Sequence, residues 1–325
     1  GATIYPVVRN IPELYDSRPH DPSARRIGAY LLYTAAATSC VTSSFFLTGM
    51  APNVLMLTIV TRMTGITLSW GEWFQGFAPV GVPLLLVLPL ALYWGYPPSI
   101  KDAPEAPRWA AAELEHMGPI SRQELILLAL VVMALSLWIF ATALIDATMA
   151  AMLVVALMVV LGVVSWDDVL GNREAWNVLT WFATLVTLAG GLADTGFIQW
   201  VARSTAPMLS GLGGFGTIVA LVLAFYYLHY GFASITAHTA TLFPVFLGVA
   251  LASPVASHKA WAMLLGYPLG IMSILTPYGA GQMPIYAASG YITRRDFWRL
   301  GFIVGTIYIL LALVVLIPWL RFLGI

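Results

Sequence analysis

The sequence predicts an all-α polytopic membrane protein with broken spanning helices and a re-entrant helical hairpin. Three observations lead there. Of 325 residues, 60% are hydrophobic and only 9% charged, against about 25% charged in an ordinary soluble domain. No soluble interior hides that much apolar surface, so the solvent is lipid. The apolar residues run in long unbroken segments, whereas a β-barrel shows short alternating ones. Finally, three of the apolar segments are interrupted by Gly, Pro and hydroxyl residues at membrane depth: "LTGMAPN" (47–53), "YGFASITAHT" (230–239) and "LTPYGAGQMP" (275–284).

Eight apolar regions follow one another along the chain. They cover about 29–63, 77–95, 124–144, 147–165, 176–193, 214–251, 260–291 and 300–320. At 38 residues, 214–251 is too long for one span and too short for two comfortable ones of about 20 residues. With its polar centre it reads as a hairpin that enters and leaves on one side. Alternating the other segments across the bilayer brings loops 9–28, 96–122, 166–175 and 292–299 to one face. They carry Arg9, Arg18, Arg25, Arg26, Lys101, Arg108, Arg122, Arg173, Arg294, Arg295 and Arg299, eleven of the fifteen basic residues. The positive-inside bias makes that face cytosolic and leaves the C-terminus outside. The expected organisation is 1–95 as the end of a first repeat, 96–122 as a cytosolic linker with an amphipathic helix near Pro104–Met117, and 123–325 as a second repeat.

The breaks carry the chemistry. Unpaired peptide groups facing lipid cost several kcal/mol each, so they survive only where protein buries them or water reaches them. Unwound helix ends present N–H groups and a positive dipole end, which suit a carboxylate or phosphate. Interrupted helices at corresponding places in two halves mark secondary transporters with inverted repeats. Ser234, Thr236, His238, Thr239 and Thr241 put five polar groups in eight residues. A single membrane Ser or Thr bonds back to its own helix; five beside Gly231 point to a ligand. His238 is assigned to the site as an intramembrane ionisable group. His229, among aromatics before the break, is assigned to structure. Asp146 and Asp194 sit where segments turn and are expected to cap them, Trp298 and Trp319 to mark interfaces, and Cys40 to be a small apolar residue. A membrane hydrolase needs a nucleophile with a partnered base or paired intramembrane Asp residues, and the sequence offers neither. No metal, cofactor or nucleic-acid motif is found. The start "GATIYPVVRN" lacks an initiator Met and a signal-like segment, and the chain is expected to begin inside a larger protein.

"TIYPVVRNIPELYDSRPHDPSARRIGAYL", "FFLTGMAPN", "EAWNVLTWF", "YGFASITAHTATLFP" and "LTPYGAGQMPIYAASGYITRRDFWRLGF" together resemble the divalent anion/sodium symporter family, in its citrate– or tartrate–succinate antiporter and plastid 2-oxoglutarate/malate translocator branch. The resemblance implies an elevator-type homodimer that moves di- or tricarboxylates, with a further Ser-Asn-Thr hairpin upstream of Gly1. In that family each repeat offers a Ser-Asn-Thr hairpin tip and an unwound Gly-x-Pro-Pro-Asn-like turn. The second tip falls on Ser234, Ile235 and Thr236, the first turn on Gly49 to Asn53, and the second on Gly279 to Met283. Thr48, Gly49, Asn53, Gly279 and Ala280 thus join Ser234, Thr236, His238 and Thr239 as substrate-binding residues. Ile235 stands where symporters have Asn, Met50 where they offer a hydroxyl, and Tyr230 where they have Thr. The lost oxygens argue against sodium, and exchange is the expected mode, with sodium-coupled symport the alternative and a non-transporting membrane subunit the remote one. By the same resemblance 30–63, 214–251 and 260–291 form the moving part, and 146–193 the scaffold and dimer contact.

Overall fold

A computed structural model describes residues 4–141, 144–209 and 211–325; positions 142–143, inside the expected 124–144 run, lie outside it. The described residues form helices and no strand. In chain order these are α1 (Tyr5–Asn10), α2 (Gly28–Phe45), α3 (Ala51–Thr64), α4 (Trp70–Gly95), α5 (Glu105–Met117), α6 (Arg122–Phe140), α7 (Ala147–Val160) and α8 (Trp166–Gly171). They are followed by α9 (Arg173–Asp194), α10 (Phe197–Leu209), α11 (Gly213–Tyr227), α12 (Ile235–Leu251), α13 (His258–Gly266), α14 (Pro268–Ile271), α15 (Met283–Ala287) and α16 (Arg294–Phe322). Among the described residues, Trp70–Gly95, Arg122–Phe140, Gly213–Gly231 and Arg294–Phe322 are long and apolar enough to cross a membrane.

The chain divides into two compact units. The smaller comprises residues 69–71 and 104–184. Its helix starts are capped as their sequences dictate. Ser121 and Glu124 form a capping box at α6, and Ser165 and Asp168 form another at α8. Asp146 accepts from the Thr148 N–H at the start of α7, which is the capping duty its place in the sequence predicts. Apolar side chains are widely exposed on α6 and α7, Leu125, Leu128, Val132 and Met152 among them, and α5 buries nothing.

The larger unit comprises residues 1–68, 72–103 and 185–325. Its first broken helix is α2, a 3-10 turn at Leu47–Gly49, and α3. Most α2 hydroxyls bond back into their own helix, Thr38 to the Thr34 carbonyl and Ser43 to that of Ser39, as membrane Ser and Thr do. The second broken helix is α13, α14, a 3-10 turn at Met272–Leu275, an irregular loop and α15. Every residue from Ala260 to Thr276 is buried, which is why "WAMLLGYPLGIMSIL" is apolar on all sides.

The two broken helices cross where Ser44 meets Tyr267 and Ile271. The Ser44 hydroxyl donates to the Tyr267 carbonyl at 2.7 Å and accepts from the Ile271 N–H at 3.0 Å. It therefore straddles one rung of the second helix. The Ser44 carbonyl, in the last turn of α2, takes the Trp73 indole N–H at 2.9 Å, and the Tyr267 hydroxyl donates to the Trp73 carbonyl at 3.0 Å. Only glycine fits at 270, because a methyl there would lie within 2.9 Å of the Ser43 carbonyl carbon and overlap Ser44 itself. Two more tyrosines tie helices in the same manner: Tyr226 donates to the Gly305 carbonyl (2.8 Å) and Tyr308 to that of Ala37 (3.0 Å). Interhelical hydrogen bonds of this kind replace the hydrophobic drive that lipid removes.

The structure departs from the sequence reading in two places. Helix α4 begins at Trp70, seven residues before the predicted run, because Glu72 in its first turn is paired with Lys259. Helix α10 has no counterpart among the eight regions; it packs on α12, where a methyl on Gly248 would collide with Ile198.

Replacing Ser44 by Ala leaves a buried N–H and a buried carbonyl short of one partner each. The expected cost is about 1–3 kcal/mol, read as a lower thermal unfolding midpoint of the purified protein; Ser43→Ala, whose hydroxyl bonds within α2, is expected to cost less than half of that.

Candidate functional site

The hairpin stretch is α11, a 3-10 turn at Leu228–Gly231, an extended segment, and α12. The arms are antiparallel and close on each other: Phe225 of α11 lies 4.5 Å from the His238 ring and 6.0 Å from Phe243, both on α12. At the open end, a methyl on Gly214 would stand 3.0 Å from Val255, so the chain enters and leaves side by side. Ser234 is the N-cap of α12 in extended conformation, yet its side chain makes no capping bond. The first N–H groups of α12 thus lack both an intrahelical and a side-chain acceptor, and Ser234 and Thr236 are half-buried around them.

Behind this helix start is a cluster of buried polar side chains. His238 and Thr239 are fully buried on α12, and His229 is fully buried in the turn. The two imidazoles meet edge to face at 5.2 Å. His229 Nε2 reaches toward the second break: a methyl on Gly279 would lie 2.8 Å from it, 2.8 Å from the Ser273 carbonyl oxygen and 3.0 Å from Thr276 Oγ1. Both nitrogens of His229 and of His238, with Thr239 Oγ1, Ser273 Oγ and Thr276 Oγ1, make no hydrogen bond of ordinary geometry within the protein. Native interiors leave few such groups, each costing about 1–3 kcal/mol. Seven such atoms gather here at two adjoining helix breaks.

A rim of aromatic rings closes over the same junction. Trp298 of α16 stacks on Tyr230 at 6.0 Å and 12°, and meets Tyr278 edge-on at 5.8 Å. The Tyr278 hydroxyl reaches the Tyr230 carbonyl at 3.3 Å. Hairpin tip and second break are therefore held together by backbone, rings and imidazole alike.

The structure gathers the nine sequence-predicted residues unevenly. Ser234, Thr236, His238, Thr239, Gly279 and the buried Ala280 belong to the junction just described. Thr48 and Gly49 are exposed in the first break. Asn53 is fully buried, and its amide donates to the Ser43 carbonyl (2.8 Å) and the Phe46 carbonyl (3.0 Å), closing the end of α2; only its Oδ1 is unpartnered. His229, assigned to structure by its aromatic neighbours in sequence, sits between hairpin and second break, where a methyl on Gly279 would lie 2.8 Å from its Nε2. Its spacing of nine from His238 across a turn was the available signal. Trp298, expected at a membrane interface, packs on the tip. Among the described residues no three His, Cys, Asp or Glu side chains gather as metal ligands.

The family model for the sodium:sulfate symporter transmembrane region matches residues 1–325. The chain belongs to this family. The resemblance carried by the five sequence motifs is thereby borne out. The L-tartrate/succinate antiporters of Shigella sonnei (strain Ss046) and Escherichia coli (strain K12) are each 46% identical to this chain over 316 residues, 97% of it and 65% of their own length. The antiporter of Shigella flexneri is 45% identical over the same extent. The chain thus spans slightly less than two thirds of these relatives, and its apolar helices place this family member in a membrane.

The contrast between two neighbouring glycines tests the junction. Gly279→Ala forces apart His229 and the Ser273–Thr276 turn, and is expected to cost about 1–3 kcal/mol of stability in a thermal melt; Gly281→Ala meets open space and is expected to leave the melt unchanged.

Proposed function

We propose that the whole protein exchanges di- or tricarboxylate anions across the membrane without sodium. The observation that carries this reading is the unfilled start of α12: Ser234 caps by backbone geometry alone, so the first N–H groups of the helix lack a side-chain acceptor, with Ser234 and Thr236 half-buried beside them. Such a helix end holds a carboxylate by hydrogen bonds and dipole without a fixed cation, and so releases it again. The relatives named L-tartrate/succinate antiporters support the substrate class and the mode. Succinate, malate, tartrate, citrate and 2-oxoglutarate all offer the required carboxylates.

Ile235 supports the absence of sodium at the hairpin tip. Its side chain is buried apolar surface, so a hard cation that wants oxygen ligands finds none from that position. His238 lies between the hairpin arms, packed by Phe225 and Phe232, and acts on substrate through the tip it supports. One observation favours the alternative, sodium-coupled symport: Asn53 keeps a buried, unpartnered Oδ1 in the first break, an oxygen suited to a cation.

The mechanism follows the family's elevator reading. The larger unit gathers 30–63, 214–251 and 260–291, the segments assigned to substrate transport, with the hairpin re-entrant from the outer side. Of the segment 146–193 assigned to scaffold, residues 185–193 fall in the larger unit and 146–184 in the smaller. Its exposed apolar α6 and α7 suit both lipid and a second copy in a homodimer. The bilayer is the bacterial inner membrane, with the C-terminus outside.

The full-length protein in liposomes preloaded with succinate is expected to take up labelled succinate or tartrate equally with sodium and with choline. Ser234→Ala and Thr236→Ala are each expected to slow this exchange about tenfold, the equivalent of one lost hydrogen bond to a charged group. Sodium-dependent uptake into empty vesicles would instead establish symport.

A further inference from the structure

Between the C-terminal half of α4 and the N-terminal half of α16 lies a cavity of about 720 Å³. The substrate reading makes no use of it. Its long walls are apolar, running from Pro83 to Leu92 on one helix and from Leu300 to Leu311 on the other. One end is charged. There Arg25, Tyr96, Asp296 and Arg299 line the mouth. The Arg25 guanidinium lies over the Tyr96 ring, 3.6 Å from its centroid, and the Tyr96 hydroxyl donates to the Asp296 carboxylate at 2.9 Å.

This mouth is built. Arg25 closes a 3-10 turn, Pro22–Arg25, whose start is capped by the Asp21 carboxylate accepting from the Ser23 N–H at 2.8 Å. Tyr96 is itself buried, so the ring under the guanidinium is a fixed platform. Both arginines are exposed toward the opening. Two guanidiniums face one carboxylate, part of whose capacity Tyr96 takes, so the mouth is short of negative charge.

Length and polarity together select the occupant. Pro83 to Tyr96 is thirteen steps of about 1.5 Å, or roughly 20 Å along the helix. That is more than one leaflet of a hydrocarbon core of about 30 Å. A small soluble anion would use the arginines and leave the apolar length unfilled. An apolar peptide would fill the length and bring the arginines no anion, leaving Arg25 with only the Tyr96 ring and the Pro97 carbonyl. An amphiphile with one phosphate and a long acyl chain satisfies both.

We propose that this groove binds one anionic phospholipid from the leaflet bordering loops 9–28 and 292–299. Its phosphate bridges Arg25 and Arg299, and an acyl chain lies along Leu88, Ile303 and Ile307. Basic mouths between spanning helices on the positively charged side of a membrane protein suit such headgroups.

The test uses the full-length protein purified in detergent. Native mass spectrometry counts retained phosphatidylglycerol against phosphatidylethanolamine of the same chains, with inorganic phosphate and glycerol 3-phosphate as headgroup-only competitors. One phosphatidylglycerol per protomer is expected to be retained in preference. Arg25→Gln and Arg299→Gln are each expected to weaken that retention about fivefold, the effect of one arginine at an anionic headgroup. Ala91→Trp fills the groove with the arginines intact, and is expected to expel both lipids alike. Thermal melts of the three variants establish that each is folded; the two arginine variants and the tryptophan variant test the site independently. Equal retention of the two lipids, unaffected by the arginine changes, overturns the proposal. So does displacement by glycerol 3-phosphate, which would make the mouth a soluble-anion site. Unchanged retention in Ala91→Trp also overturns it, since the lipid would then lie elsewhere and the groove would be covered by protein.

Discussion

The crossing of the two broken helices in the larger unit rests on the hydroxyl of Ser44. It is one atom, yet it meets a donor and an acceptor on successive turns of a helix that is 223 residues further along the chain. Broken helices are costly in lipid because each break frees backbone groups. Ser44 lets the two breaks share a solution: the crossing is close enough for hydroxyl-to-backbone bonds because Gly270 has no side chain. Trp73 then takes up the carbonyl left over at the end of α2. Once the crossing is fixed, the N-terminal ends of the interrupted segments are fixed too, and with them the places where N–H groups have no internal acceptor.

The buried polar cluster next to the hairpin tip follows from the same constraint. Thr276 and Ser273 are buried because α13 to the second 3-10 turn is buried on every side. Gly279 is bare because His229 needs the space. The polar groups there are held in place by backbone packing more than by hydrogen bonds of ordinary geometry. Under the proposed exchange, a carboxylate at the hairpin tip meets groups already oriented, which lowers the ordering cost of binding.

Much of this was readable from the residues. Composition and long apolar runs determine an all-helical membrane protein, and the Gly/Pro-interrupted runs point to breaks at 47–53, 230–239 and 275–284, of which the second runs past the true break because α12 is already helical from Ile235. The amphipathic helix at Glu105–Met117 was visible because its period is local. What was not readable depends on distant partners. Nothing near Ser44 in sequence distinguishes its hydroxyl from those of Thr42 or Ser43; only the crossing helix does. His229 was judged by its aromatic neighbours, and its true contact at Gly279 is fifty residues away. Helix α4 starts early because of a charge pair with Lys259, a residue no local hydropathy window contains. Helix α10 was passed over because Arg203, Ser204, Thr205 and Pro207 interrupt its apolar character, while its buried Ile198 and Ala202 form too short a stripe to stand out.

The crossing also sets a schedule for assembly. Helix α2 is made and threaded into the bilayer long before α14 exists, and α4 waits for Trp319 of α16 to reach the Gln75 carbonyl, 244 residues on. During that interval the interrupted ends have no protein to shield them. Closing such long loops is entropically slow, and the half-made protein must leave its breaks against water, headgroups or the insertion machinery. Biogenesis, more than the finished fold, is therefore the stage at which this architecture is most exposed to failure.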